Sequence, residues 1–103
     1  MATFTEAHSG DLAEVPAGGS FEIALRESPA TGYRWELNTT GVSTAALVDD
    51  RFEPPTGVGG EGMHHWRFRA VHPGVAEIAL SLRRSWAPGE SARSFTLRVN
   101  VQH

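Results

Sequence analysis

Residues 95–101 read Phe95-Thr96-Leu97-Arg98-Val99-Asn100-Val101, and apolar and polar side chains alternate along the whole stretch. Successive side chains of a β-strand point to opposite faces, so this pattern predicts a strand with one apolar and one polar face. Strands of this kind build antiparallel sheets that have one face in the core and one face in water. This stretch therefore decides the fold class in favour of β-structure.

The same alternation recurs upstream and predicts strands along most of the chain. Predicted strands cover residues 4–7, 12–15, 20–25, 33–37, 46–52, 63–70, 75–82 and 94–101. Two such sheets packed face to face form a sandwich, and Trp35 and Trp66 fall on its inward registers. We predict an all-β, antiparallel, immunoglobulin-like β-sandwich of about seven or eight strands. Residues 43–48 could instead form a helical turn, which is too short to change the fold class.

Length and composition limit the possible functions. The chain has 103 residues, 40% of them apolar and 20% charged, which is typical of a single soluble domain over residues 1–103. It contains no cysteine, so disulfides, thiolate metal sites and a cysteine nucleophile are excluded. The net charge is -3 and no charge run exceeds two residues, so we expect neither nucleic acid nor a membrane as partner. We expect a monomer that needs no cofactor.

The N-terminal residues carry no targeting pattern. A basic segment followed by an apolar stretch, which would mark a signal peptide, is absent from the start of the sequence. No apolar stretch is long enough for a transmembrane helix. We therefore expect a soluble protein, either cytoplasmic or exported after loss of a leader.

Strand parity predicts where the connections lie. In antiparallel strands joined in sequence, every second connection lies at the same end of the sandwich. The connections 26–32, 53–62 and 83–93 therefore share one end, and those around 39–41 and 72–74 share the other. The first three are long and rich in Gly, Pro or Trp. Long structured loops in a small domain are usually functional, so we predict a recognition surface at their end.

The first of these connections contains Ser28-Pro29-Ala30-Thr31-Gly32-Tyr33. Proline fixes its own φ and disfavours helical backbone at the preceding residue, which stiffens the loop. Gly32 permits a positive φ at the entry to the next strand. The loop is expected to display Ala30 and the hydroxyl of Thr31, although a Pro-x-Thr-Gly sequence is also an ordinary turn.

The second connection contains Gly57-Val58-Gly59-Gly60-Glu61-Gly62. It is not a phosphate-binding P-loop, because neither a Lys-Ser/Thr pair nor a helix follows the glycines. Gly59 and Gly60 instead leave backbone N–H and C=O groups open to strand-like pairing with another chain. A flexible linker is the alternative interpretation.

The third connection reads Arg83-Arg84-Ser85-Trp86-Ala87-Pro88-Gly89. Trp86 lies beyond the strand alternation, close to Arg84. A tryptophan in a loop is a typical interface anchor. The alternative is a ring that folds back over the end of the sandwich.

No constellation of residues predicts catalysis or a metal site. His64 and His65 are neighbours in a strand and point to opposite faces, so they do not form a pair of metal ligands. Asp49 and Asp50 diverge in the same way, and no serine has a companion His and Asp that the sequence justifies. The aromatic and basic residues of 66–69 lie on opposite faces, which argues against a nucleic-acid stripe. We therefore predict a binding protein and not an enzyme.

Taken together, the three motifs resemble the chagasin family of protein inhibitors of papain-like cysteine proteases. The chain shares with that family, in order, a Pro-x-Thr-Gly-aromatic loop, a Gly-x-Gly-Gly loop and an Arg-x-Trp loop. The resemblance extends to Pro54-Pro55 and to the closing strand 95–97. It implies an immunoglobulin-type sandwich whose three loops enter the protease cleft as a wedge.

The resemblance also implies a role for each loop. Pro29, Thr31, Gly32 and Tyr33 match the family's central loop, which approaches the catalytic cysteine and histidine. The residues that match the other two loops are Gly57, Gly59 and Gly60 on the non-primed substrate side, and Arg84 and Trp86 on the primed side. Ala30 lies in the central loop, so we expect it to contact the protease too.

Three positions depart from the family pattern. Ser28 replaces the usual Asn, Ala30 replaces the first loop threonine, and Ser85 replaces the proline between Arg84 and Trp86. One side-chain hydrogen bond near the catalytic centre is therefore expected to be missing, at a cost of about 0.5–1.5 kcal/mol. Two other hypotheses stay open: a carbohydrate- or cell-surface-binding module that stacks sugars on Trp86, and an accessory structural domain.

Overall fold

Eight β-strands and one short 3-10 helix make up the computed structural model, which describes residues 2–28, 32–40, 44–55, 61–84 and 87–103. At residues 39–40, 84 and 87–92 it describes the backbone alone. The strands are β1 (Ala2–Phe4), β2 (Leu12–Pro16), β3 (Ser20–Glu27), β4 (Tyr33–Thr40), β5 (Ala45–Glu53), β6 (Gly62–Ala70), β7 (Gly74–Arg84) and β8 (Ala87–Gln102); the 3-10 helix covers Glu6–His8. The predicted all-β class is confirmed. Within these ranges, no helix is long and apolar enough to cross a membrane.

The strands form two four-stranded sheets. The first has the order β1-β3-β6-β5 and the second the order β2-β8-β7-β4. Pairing is antiparallel within β3-β6-β5 and within β8-β7-β4, as predicted. At one edge of each sheet, however, the pairing is parallel, since β1 runs alongside β3 and β2 alongside β8. The N-terminal residues 2–16 thus supply an edge strand to both sheets, which strand alternation alone does not reveal.

Side chains from both sheets meet in one hydrophobic core. Its largest fully buried members are Trp66, Phe21, Phe68, Phe95, Ile23, Leu25, Ile78, Leu80, Leu97 and Val99. All of them occupy registers that the alternation predicts to face inward, and Trp35 is also buried as predicted. Phe21 and Phe68 are direct partners across β3 and β6, and their rings stack with centroids 5.2 Å apart. Each such side chain contributes about 1.5–3 kcal/mol on burial, so packing supplies the stability that no disulfide provides.

The strand predicted at 4–7 is displaced toward the N-terminus. β1 ends at Phe4, and the next residue, Thr5, donates its backbone N–H to Nδ1 of His8 at 3.0 Å. Because the His8 imidazole accepts this hydrogen bond, the Thr5 N–H cannot take part in a strand ladder. The chain therefore leaves the strand and enters the 3-10 helix. The prediction of a strand over residues 5–7 is therefore wrong. The helical turn considered for residues 43–48 is also wrong, because β5 begins at Ala45 and continues past residue 48.

The strand registers place the three predicted loop regions at the same end of the sandwich. In the first sheet the C-terminal ends of β3 and β5 lie beside the N-terminal end of β6, where Glu27 pairs with Gly62. In the second sheet the N-terminal ends of β4 and β8 lie beside the C-terminal end of β7, where Tyr33 pairs with Arg84. The backbone N–H of Trp35 donates to Oε2 of Glu27 at 2.8 Å and ties the two sheets together there. All three connections therefore leave the sandwich at one end, called the loop end below, and the parity prediction is confirmed.

The third connection is shorter than the predicted 83–93. β7 continues to Arg84 and β8 begins at Ala87, so residues 85–86 join the two strands. The register shifts between Leu82 and Arg83 and again between Arg83 and Arg84. Such irregularities absorb extra residues into a ladder, which is why residues 87–93 continue as strand despite their Pro and Gly content. The predicted extent of this loop is wrong, although its position is correct.

Candidate protein-binding site at the loop end

The connection between β3 and β4, residues 28–32, is called the central connection. Its last residue, Gly32, has a φ of 83°, the left-handed conformation predicted for the entry to the strand. Tyr33 follows as the first residue of β4, is half-buried and pairs with Arg84. Pro29, Ala30 and Thr31, the other predicted binding residues, lie outside the described residues. The structure thus describes both ends of the central connection.

Side chains complete the backbone hydrogen bonding of β3 near this connection. β1 ends where Phe4 pairs with Ile23, so it does not reach Arg26. The backbone N–H of Arg26 donates instead to Oε1 of Glu6 at 2.7 Å, and its carbonyl accepts from Nε1 of Trp35 at 2.9 Å. Backbone polar groups need such partners wherever strand pairing stops. The 3-10 helix and β4 therefore replace a strand partner at the loop end.

A buried carboxylate immediately precedes the central connection in the chain. Glu27, the last residue of β3, is 6% exposed. Its Oε2 accepts from the backbone N–H of Trp35 at 2.8 Å, and its Oε1 lies 3.1 Å from Nδ1 of His64. The other ring nitrogen of His64 is hydrogen-bonded to Oδ1 of Asp50. These contacts connect β3, β4, β5 and β6 at the loop end.

Sequence reasoning missed this network, although the sequence contains a signal for it. Glu27 continues the inward register of Phe21, Ile23 and Leu25, and His64 continues the inward register of Trp66. A carboxylate and an imidazole on the inward registers of two strands must find polar partners when they are buried. If the alternation is extended beyond the apolar residues of β3 and β6, it indicates a carboxylate–imidazole pair in the interior.

His65 makes a similar arrangement on the outer face of the first sheet. Its Nδ1 lies 3.2 Å from Oε2 of Glu22, and its Nε2 lies 3.2 Å from Oε1 of Glu53. The two adjacent histidines thus contact different carboxylates on opposite faces, as the strand periodicity predicts. Within the residues that the structure describes, no group of three or more His, Cys, Asp or Glu is placed to hold a metal ion.

The connection between β5 and β6, residues 54–61, is called the glycine connection. Gly57, Gly59 and Gly60, the predicted pairing residues, lie outside the described residues. At its base is an open groove of 560 Å³ lined by Arg26, Glu53, Pro54, Pro55, Glu61, Gly62 and Met63. Gly62, the first residue of β6, lies close to Phe52, since a Cβ there would be 2.8 Å from Cε1 of that ring and 2.5 Å from the Glu53 carbonyl oxygen. A side chain at this position would displace the base of the glycine connection.

The connection between β7 and β8, residues 85–86, is called the tryptophan connection. Arg84 precedes it and pairs through its backbone with Tyr33 on one side and Ala87 on the other. The first residues of β4, which follow the central connection, are thereby held next to the tryptophan connection. Trp86 lies outside the described residues, and the side chain of Arg84 is not described. Their predicted contacts therefore stay predictions.

A sandwich that presents three connections at one end, where a polar network links β3, β4, β5 and β6, is a scaffold suited to binding other proteins. Residues 14–101 match the protein family described as "Chagasin family peptidase inhibitor I42". The chain therefore belongs to the chagasin family of peptidase inhibitors. The resemblance predicted from the three motifs is confirmed, and so is the prediction that this protein is not an enzyme.

Individual relatives agree with this assignment. The chain is 36% identical over 102 residues to Amoebiasin-1 of Entamoeba histolytica, an alignment that covers 97% of this chain and 99% of the relative. Its fold is similar to the crystal structure of the cysteine protease inhibitor EhICP2 from Entamoeba histolytica, with a TM-score of 0.83, 22% identity, and coverage of 98% and 94% of the two chains. It is also similar to PbICP-C, solved in complex with falcipain-2, with a TM-score of 0.73, 15% identity, and coverage of 99% and 100%. The alternative of a carbohydrate-binding module is not favoured.

Proposed function

We propose that this protein is a reversible inhibitor of papain-like cysteine proteases, which it blocks by inserting the loop end as a wedge into the active-site cleft. One observation carries the proposal: the three connections with the family motifs leave the sandwich at the same end, where Trp35 and Glu27 tie the two sheets together. Membership of a peptidase-inhibitor family supports it. The cysteine-protease class is supported by the shared fold of EhICP2.

In this proposal the central connection approaches the catalytic cysteine and histidine of the protease. Pro29 stiffens the loop, Ala30 and Thr31 form its tip, and Gly32 turns the chain into β4. Tyr33 supports the tip from the start of the strand. The left-handed backbone at Gly32 is consistent with a tight tip, because residues with a side chain seldom adopt this conformation.

The other two connections flank the central one. We assign Gly57, Gly59 and Gly60 to strand-like backbone pairing on the non-primed side of the cleft, since glycine lets two backbones approach closely. We assign Arg84 and Trp86 to the primed side, where the indole stacks on an aromatic surface of the protease. The pairing of Tyr33 with Arg84 supports simultaneous engagement, because it keeps the central and tryptophan connections adjacent.

Such a protein inhibits by occlusion and performs no chemistry of its own. Loops fixed on two packed sheets lose little conformational freedom on docking, so more of the contact energy appears as affinity. We take residues 1–103 to act as one inhibitor domain and as a monomer. The contacts are non-covalent, so inhibition is reversible.

The direct test is a titration of papain or cathepsin L activity with the folded protein. We expect tight, competitive inhibition, and we expect trypsin and thermolysin, a serine protease and a metalloprotease, to keep their full activity at the same concentrations. Undiminished papain and cathepsin L activity at a large molar excess of folded inhibitor would overturn the proposal.

A further inference from the structure

We infer that Glu27 is a positioning residue for the central connection, because its buried carboxylate joins the two strand ends that this connection links. The inference rests on the proposed function and adds a residue that lies outside the three sequence motifs. It assigns to Glu27 no contact with the protease.

The first argument is topological. β3 and β4 flank the central connection but belong to different sheets, so no strand ladder joins them. Two hydrogen bonds take its place: Trp35 donates its backbone N–H to Oε2 of Glu27 at 2.8 Å and its indole N–H to the Arg26 carbonyl at 2.9 Å. Both bonds connect the last two residues of β3 with the third residue of β4. They fix the separation and direction of the two ends from which the central connection extends.

The second argument is that the carboxylate is itself held in place. Oε1 of Glu27 lies 3.1 Å from Nδ1 of His64, the third residue of β6. The His64 ring stacks on the indole of Trp66, which is 1% exposed, and its other nitrogen bonds to Asp50. Glu27 therefore links the ends of the central connection to the strand that follows the glycine connection. A carboxylate so fully removed from water persists only when its oxygens are hydrogen-bonded.

Glu22 provides a control that the chain itself contains. It lies on the same strand, is 8% exposed, and also contacts a histidine, with Oε2 3.2 Å from Nδ1 of His65. Its other charged partner, Arg51, lies at 3.9 Å on β5, so both partners belong to the same sheet as Glu22 itself. Loss of Glu22 removes a buried carboxylate–histidine contact without touching the link between the sheets.

The expected consequence concerns the rate of association. Without the carboxylate, the central connection occupies its docking geometry only part of the time, and the apparent affinity falls by that fraction. Glu27→Ala should lower the association rate constant for papain about tenfold, the order expected when one backbone residue is ordered on binding instead of on folding. The dissociation rate constant should change by less than about twofold, because the bound loop makes the same contacts.

The experiment compares Glu27→Ala, Glu27→Gln and Glu22→Ala with the wild-type protein, below the melting temperature of each variant. Glutamine can accept from the Trp35 amide and donate to a neutral His64, so Glu27→Gln should restore most of the association rate. Glu22→Ala should associate at the wild-type rate even where it is less stable. If Glu27→Ala associates normally, or Glu22→Ala slows association equally, the inference is wrong. If Glu27→Ala does not fold, Glu27→Asp and Glu22→Asp replace the pair, since aspartate is too short to reach both partners.

A measurement on the free protein separates this inference from the proposed function. Amide ¹⁵N relaxation of Gly32 and Tyr33 should report increased motion in Glu27→Ala and no change in Glu22→Ala. If the wild-type protein fails to inhibit papain, the proposed function fails, and relaxation alone then decides whether Glu27 positions the connection. Unchanged relaxation at both residues in Glu27→Ala would overturn the inference, whatever the outcome of the inhibition assay.

Discussion

The imidazole of His64 lies flat against the indole of Trp66, with ring centroids 3.9 Å apart and ring planes 4° apart. The two residues are separated by one position on β6, so both point into the sandwich. The stack continues the apolar core up to the polar contacts of His64 with Glu27 and Asp50. At this point the packed interior meets the loop end.

Replacement of His64 by alanine should destabilise the fold. The substitution removes the stack on Trp66 and leaves the buried Glu27 carboxylate without one partner, and together these losses should cost about 2 kcal/mol. Chemical denaturation measures the free energy of unfolding. The matched control is His65→Ala, which also loses two carboxylate contacts but is expected to cost about 1 kcal/mol less, because it removes no core stack. Equal losses for both variants would contradict a stabilising role for the stack.

Gly62→Ala should destabilise the base of the glycine connection. The new Cβ would meet the Phe52 ring and the Glu53 carbonyl, and overpacking of this kind typically costs about 1–3 kcal/mol. The double variant Gly62→Ala/Phe52→Ala should recover part of this cost, since the ring is gone and the carbonyl remains. Thermal unfolding of the two single variants and the double variant gives the coupling energy. Purely additive losses would show that the ring does not cause the strain.

Trp86→Ala should weaken inhibition of papain by about 2 kcal/mol or more, the range of an interface hot spot. Its melting temperature should stay close to that of the wild-type protein. Trp86→Phe, which keeps an aromatic ring, should lose less, and Val75→Ala near the start of β7 serves as a surface control. A variant with intact inhibition and a much lower melting temperature would instead identify Trp86 as a lid on the core.

Ala30→Thr should strengthen inhibition by about 0.5–1.5 kcal/mol, because the threonine hydroxyl restores the hydrogen bond that the family pattern implies. Ala30→Val has nearly the same shape and no hydroxyl, so it tests whether the gain comes from the hydrogen bond. Inhibition constants for papain measure both effects. A similar gain in both variants would assign the effect to packing.

Side chains at Gly59 or Gly60 should weaken inhibition in proportion to their size. A growing side chain holds the backbone of the glycine connection further from the protease and blocks strand-like pairing. The series Gly59→Ala, Gly59→Val and Gly59→Leu is its own control, with inhibition constants compared against melting temperatures. A series of identical inhibition constants would rule out close backbone approach at this residue.

The strand period explains how much of the fold the sequence could predict. Alternation placed Phe21, Trp66 and Leu97 on the core face, because a side-chain period of two leaves no other register for a one-sided sheet. The pairing of the edge strands β1 and β2 could not be predicted in this way. β1 and β2 pair in parallel with strands distant in sequence, and local alternation carries no information about partners or direction. The side chain of His8, which ends β1 by bonding to Thr5, acts through a local contact that periodicity also cannot detect.

Only part of the candidate site could be predicted from the residues themselves. Parity located the loop end, and the left-handed φ of Gly32 followed from residue chemistry. The assignment of Trp86 and Gly59 to protease contacts came from the family resemblance, because loop sequences follow no hydrophobic period from which contacts could be predicted. Glu27 escaped prediction since its function depends on Trp35 and His64, which only the packed sheets bring to it.

The parallel pairing of β2 with β8 has a consequence for how this protein is made. Leu12 leaves the ribosome 86 residues ahead of its partner, Arg98. The edge of the second sheet therefore cannot close until residues 98–102 have been synthesised. Contacts this distant in sequence slow folding and leave strand edges open to chaperones and to aggregation in the meantime. Translation speed and chaperone supply should therefore affect the yield of folded protein in a recombinant host.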